Sequence, residues 1–271
     1  MPASGQIRKL RASLETPVRY RLPIGASELD MNACLGKSLR LEWSGEIRCL
    51  ECDRPTRKSF SQGHCYPCMQ RLASCDLCIV RPEKCHYHEG TCREPKWGQD
   101  HCMQPHYVYL ANSSGIKVGI TRHTQIPTRW IDQGAVQALP VLKVKSRYIS
   151  GLVEVALKPY VADRTDWRRM LKGEPDKVDL IWRRDELFAL VGDQLNAITQ
   201  HHGEDAWHRL DDEIVEIQYP VETYPDRVSS INLDKTPAVS GILQGIKGQY
   251  LILDTGVLNI RKYGGYILEI A

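Results

Sequence analysis

The stretch Cys49-Leu50-Glu51-Cys52 is followed, twelve residues on, by Cys65-Tyr66-Pro67-Cys68. Each Cys-x2-Cys pair presents two thiolates from one tight turn, and two pairs fill the tetrahedral shell of one Zn²⁺. Nine of the ten cysteines and five of the nine histidines fall between Cys49 and His106. That segment has little hydrophobic periodicity and almost no aliphatic run, so it has no apolar core to hold it together. A metal would supply the missing folding energy. Four protein thiolates leave no open coordination position, so the expected zinc is structural and not catalytic.

The surplus ligands allow a second site. Cys75 and Cys78 form a third pair, with partners to be drawn from Cys85, His86, His88, Cys92, His101, Cys102 and His106. Cys92 and Cys102 are the favoured completion. Cys102 with His106 is the main competitor, and an interleaved pairing of clips stays open. Cys34 lies outside the cluster and reads as a buried structural thiol.

Composition sets the outer limits. Hydrophobic residues make up 42% and charged residues 25% of the 271, ordinary values for a folded soluble protein. No apolar run reaches the roughly 18 residues of a membrane span, and residues 1–6 lack the apolar core of a secretory signal. The expected compartment is the cytoplasm, where clustered cysteines serve metals more often than disulfides. The net charge of +3 is uneven. Residues 201–271 carry six basic against eleven acidic groups, so the basic excess lies in residues 1–200. That excess is mild, but it is placed to attract a polyanion.

Outward from the cysteines, an α+β chain of four parts is expected. Residues 1–48 alternate as strands, as in 6–11, 18–22 and 38–43, and lead into the cysteine-rich module at 49–106. Residues 107–200 read as mixed α/β. Two strands flank the turn Asn112-Ser113-Ser114-Gly115, and a helix opens at Pro127 and closes at Gly134. A third strand covers 139–144. Helices follow at about 151–161, then one capped within 163–167 and running through Met170-Leu171, and one at about 180–199. Residues 201–271 return to short strands, with Asp254-Thr255-Gly256 as a tight turn. Five such strands suggest a small barrel, which the N-terminal strands complete.

Tyr107-Val108-Tyr109 and Lys117-Val118-Gly119-Ile120-Thr121 resemble the two signature tripeptides of the GIY-YIG nuclease domain. Arg129 lies on the next helix and Glu154 on the one after, followed by Leu157-Lys158. The order of hairpin, arginine helix, third strand and glutamate helix is similar to that fold. The whole chain also resembles an uncharacterised bacterial family joining a cysteine-rich module to such a core. The nuclease resemblance implies metal-dependent hydrolysis of phosphodiester bonds in DNA or RNA. It assigns Tyr109 to the first tyrosine, Arg129 to the phosphate and Glu154 to one Mg²⁺ or Mn²⁺. Lys117 stands where the family has its second tyrosine, Tyr107 replaces the first glycine, and Gln133 replaces a histidine one turn after the arginine. A lysine there can bind phosphate, or act as base if its pKa is lowered.

Arg122 and His123, just after the hairpin, and Arg54, Arg57 and Lys58, between the first two clips, are placed to touch a nucleic-acid backbone. Other readings stay open for each feature. A tyrosine on a hairpin is commonly a packing residue, and a lone helical glutamate is commonly solvated. Arg129 could pair with Asp132 three residues on. For the whole chain, the alternatives are a zinc-containing module that binds nucleic acid without cutting it, and a zinc-stapled protein-interaction module. Nothing in the sequence specifies the oligomeric state.

Overall fold

The computed structural model describes residues 3–271. The chain starts with β1 (Ala3–Gln6), then a meander of β2 (Arg11–Ser13), β3 (Arg19–Ile24) and β4 (Ser27–Asp30), then the ten-residue β5 (Ser38–Ile47). The expected strand at 6–11 is split between β1 and β2. The cysteine-rich segment holds two short helices, α1 (Tyr66–Arg71) and α2 (Pro95–His101), joined by 3-10 turns. Each helix has a proline in its first turn, where a missing N–H costs nothing.

The hairpin follows as β6 (His106–Asn112) and β7 (Ile116–Arg122), then α3 (Thr128–Asp132), β8 (Gln137–Val144) and α4 (Arg147–Leu157). Helix α4 starts four residues earlier than expected because Ser146 caps it, its Oγ accepting the Ile149 N–H. Asp166 caps α5 (Trp167–Leu171) by accepting the N–H groups of Arg168 and Arg169. The long helix expected over 180–199 is two helices, α6 (Leu180–Leu190) and α7 (Gly192–His202). Val191 leaves helical geometry between them, just before Gly192, a residue with a weak hold on a helix interior. Seven further segments complete the chain: β9 (Trp207–Arg209), β10 (Val215–Glu216), β11 (Ala238–Lys247), β12 (Tyr250–Leu253), β13 (Gly256–Asn259), a short 3-10 turn, and β14 (Tyr266–Ile270).

These strands form three antiparallel sheets. The largest runs β1-β14-β5-β11-β12-β13, so the two ends of the chain share one sheet. Among the described residues its edge strands β1 and β13 are not paired with each other, so the sheet is open where a barrel was expected. Strand β11 turns the corner. Its first half pairs with β5 and its second half with β12, with a bulge between Leu243 and Gly245. The second sheet runs β10-β8-β6-β7, with β9 also on β8. Thus β9 and β10 join the hairpin's sheet and not the C-terminal one.

The hairpin separates two cores. Side chains alternate along a strand, so Tyr109 and Ala111 of β6 enter a core with Leu22, Leu41, Leu251 and Leu268. Val108 and Leu110 point the other way, against Val153 and Leu157 of α4 and Leu187 of α6. A polar clip ties the parts together beside this divide. Gln249 receives the Leu10 N–H at 2.8 Å and donates to the Leu10 carbonyl and to Asp132, while Lys9 pairs with Asp132 at 2.7 Å.

Leu41 is fully buried between Val239 of β11 and Ile270 of β14. Leu41→Ala is expected to cost about 2–5 kcal/mol of stability. A urea midpoint unchanged from wild type would show that the joined terminal sheet does not stabilise the fold.

Candidate functional site

The first two cysteine pairs come from a turn and a helix start. The Asp53 N–H bonds the Cys49 carbonyl and the Cys49 N–H bonds the Arg54 carbonyl, which folds 49–54 into a knuckle. Cys65 immediately precedes α1 and Cys68 lies within its first turn. The four sulfurs of Cys49, Cys52, Cys65 and Cys68 lie within 4.8 Å of one another, with Cys52 and Cys65 at 3.7 Å. Zinc–sulfur bonds of about 2.3 Å in a tetrahedron require sulfurs about 3.8 Å apart, so this donor set fits a zinc ion. Burial opposes ionisation of Cys49, yet the amide N–H groups of Cys52, Cys65 and Glu51 aimed at its sulfur bring its pKa down to about 6. Burial and the three neighbouring thiols push Cys68 up to about 12. Four thiols this close oppose one another's ionisation, so the cluster gains from a cation at its centre.

The third clip does not act as a unit. Cys75 packs against the first cluster, with its sulfur 3.7 Å from His64 Nδ1. Cys78 faces away, and the sites divide there because Asp76 is extended between two 3-10 turns. Cys78, Cys92 and Cys102 share a cavity of about 20 Å³ with Cys85, Asp76 and His86. The expected set of Cys75, Cys78, Cys92 and Cys102 is therefore not assembled at one point. Ligand atoms of Asp76, Cys78 and His86 also lie within 4.8 Å of one another.

Of the four residues assigned from the hairpin and its helices, Tyr109 and Lys117 share one face of the hairpin, and the charges of Arg129 and Glu154 act on both. Tyr109 is opposite Gly119 across the hairpin, and a Cβ on Gly119 would lie 2.5 Å from the tyrosine ring. The glycine thus exists to admit the ring. The Tyr109 hydroxyl donates to Gln133 Oε1 at 3.1 Å, and burial raises its pKa. Lys117 sits on the same face, opposite Ala111, and is 5% exposed. Burial first, then the Arg129 charge, lowers its pKa to about 8, against the pull of Glu154 and Asp163. Glu154 is half-buried, and burial raises its pKa despite Lys158 and Lys117. Among the described residues, none of Lys117, Arg129 and Glu154 makes an ion pair. Asp132, the anticipated partner of Arg129, is taken by Lys9, and Lys158 by Asp163.

Arg261, from the turn between β13 and β14, was not legible as a site residue. Burial first lowers its pKa, with Asp132 acting against that and Arg129 adding to it. Its Nε donates to Gln62 Oε1 at 2.5 Å. Arg261 and Gln62 line a cavity of about 250 Å³ with Gln133, Asp132 and Gln249, where the cysteine module, the hairpin unit and the C-terminal sheet meet. Arg54, Arg57 and Lys58 are exposed on the first knuckle loop, and His123 is exposed beside Tyr107. Arg122 is partly buried at the end of β7.

Cys65→Ser is expected to lower bound zinc by one equivalent and to open residues 49–72 to proteolysis. Unchanged zinc by elemental analysis would remove the first cluster as a metal site.

No helix among the described residues is long and apolar enough to cross a membrane. Comparison with curated proteins and with solved structures returned no match. The family described as protein of unknown function (DUF2797) matches residues 36–268. That span takes in β5, the cysteine module, Lys117, Arg129 and Glu154, and most of β14, and the chain belongs to the DUF2797 family.

Proposed function

We propose that this chain acts on nucleic acid through the cleft around Lys117, Arg129 and Glu154, by metal-dependent hydrolysis of phosphodiester bonds. One observation carries the reading. Two cations and a carboxylate, buried or half-buried, converge beside Tyr109 with no ion pair among them. Unpaired charge in a low-dielectric setting is costly, and it is retained where a ligand supplies the counter-charge. The succession of hairpin, Arg129 helix, third strand and Glu154 helix supports a GIY-YIG-like core.

Each residue then has a physical task. Arg129 offers a planar fork to phosphate oxygens, and Arg261 adds positive charge near it. Lys117, protonated below about 8, donates to a phosphate oxygen. Tyr109 is fully buried with a raised pKa, so it holds Gln133 in place and takes no proton. Glu154 is the carboxylate that would hold Mg²⁺ or Mn²⁺, and such an ion polarises a phosphoryl oxygen. The zinc at Cys49, Cys52, Cys65 and Cys68 is structural in this reading, and its knuckle presents Arg54, Arg57 and Lys58 to the backbone.

A second reading, binding without cleavage, is favoured by Lys117 in the place of the second tyrosine. Incubation with DNA and RNA panels in Mg²⁺ or Mn²⁺ separates the two. Cleavage lost in Glu154→Ala, with binding kept, supports hydrolysis. Cleavage no greater than that of Glu154→Ala leaves only binding. Arg129→Ala is expected to weaken binding about tenfold, or ~1.4 kcal/mol. An absence of binding to any DNA or RNA at low salt would sink both readings.

The lowered pKa of Lys117 gives a pH signature. Its positive charge is full below about 8 and is lost as pH rises through that value, whereas an ordinary lysine keeps its charge to about 10.4. Affinity for an oligonucleotide in divalent-free buffer is therefore expected to fall between about pH 7 and pH 9. Lys117→Met should flatten that step, and a wild-type affinity constant over the range would contradict the assignment.

A further inference from the structure

We propose that Cys78, Cys85, Cys92 and Cys102 hold a second structural zinc ion, which clamps the cysteine module onto helix α4. The four thiols come from four separate pieces of chain: a 3-10 turn at Leu77–Ile79, the residue after the turn Pro82–Lys84, the loop before α2, and the residue ending α2. All four line the same cavity of about 20 Å³; their sulfurs are more widely spaced than the 4.8 Å of the first cluster, so an ion would draw them together. Cys78 has Cys85 and Cys102 as close electrostatic neighbours, and Cys102 has Cys85 and Cys92. Gly98, on α2 one turn before Cys102, leaves room for the approach. A Cβ there would lie 3.1 Å from the Cys92 sulfur.

Two observations favour a metal over four idle thiols. The first is the lack of any other core. Residues 73–102 contain no strand, and Leu77 and Val80, two of their few aliphatic residues, are 55% and 73% exposed. A metal cross-link would supply the folding energy this segment otherwise lacks. The second is Arg147. Its backbone N–H bonds the Cys102 carbonyl at 2.8 Å, and its guanidinium donates to the Ile79 carbonyl at 2.5 Å. Its Nε is buried with no partner, and Cys102 and Cys78 are among the charges nearest it. Four thiols that lose their protons to solvent on binding one Zn²⁺ form a centre of net charge −2. Arg147 is placed to offset that charge and to give its free N–H to a sulfur.

Asp76 is engaged, pairing with Arg93 at 2.6 Å. His86 Nδ1 meets Thr91 Oγ1 at 2.7 Å, and its Nε2 lies 3.6 Å from Asp76, so His86 is the competing ligand for Cys78. Cys75 belongs to the neighbourhood of the first cluster. Four thiolates close the shell, so the ion is structural. Its effect reaches α4, because the turn Pro82–Lys84 packs directly on Gly151, where a Cβ would lie 2.4 Å from the Glu83 nitrogen. The centre would be present whether or not the chain touches nucleic acid.

Metal content of the reduced full chain, purified without chelator, tests the proposal. Two equivalents of zinc are expected in wild type, one in each of Cys85→Ser and Cys92→Ser, and two in Cys75→Ser and His86→Ala. One equivalent in wild type, two in Cys85→Ser, or one in His86→Ala would overturn it. Wild-type thiol labelling covers the case of variants that fail to fold. In metal-replete protein, Cys85 and Cys92 should alkylate slowly, and chelator should speed both. Labelling of Cys85 and Cys92 at the same rate with and without chelator would equally overturn the proposal.

Discussion

The hairpin of β6 and β7 is buried on both faces, and the rest of the molecule is arranged around that constraint. A strand whose side chains alternate between two cores cannot slip by one residue without turning each set into the wrong core. The Tyr109–Gly119 contact locks the register, since only glycine admits the ring at that position. With the register set, Lys117 is carried to the Tyr109 face and the apolar residues Val118 and Ile120 to the helical layer. The charged cleft thus follows from the packing of the hairpin.

The cavity beside α3 is built by contributors far apart in sequence. Gln62 comes from the cysteine module, Gln133 from the residue after α3, and Arg261 from the C-terminal turn. The cysteine module has no apolar core to bring its loop here, and the C-terminal sheet reaches this cavity because both chain ends share one sheet. The clip of Lys9, Asp132 and Gln249 holds this junction closed. By occupying Asp132, it also leaves Arg129 without its nearest carboxylate. The cysteine module, the hairpin unit and the terminal sheet therefore meet at one polar cavity.

Much of this was legible because it is local. The Cys-x2-Cys spacing marked the first cluster, the Asn112–Gly115 turn marked the hairpin, and Pro127 and Gly134 bounded α3. What was not legible depends on contacts between distant residues. Nothing near Val215 says that its strand pairs with β8, and nothing near Arg261 says that it faces Arg129. The second cysteine group was misread for a related reason. Spacing made Cys75 and Cys78 one clip, but the extended backbone at Asp76 turns them to opposite sides. The break between α6 and α7 was visible in Gly192, but a hydrophobic pattern continuing on both sides masked it.

Cross-linking a photoreactive oligonucleotide to the full chain and mapping the linked peptides tests the central claim most directly. Cross-links concentrated in residues 107–133 and 147–158, and competed away by unlabelled nucleic acid, are predicted. Cross-links confined to other surfaces, or none above a non-binding control at low salt, would contradict a nucleic-acid site at Lys117, Arg129 and Glu154.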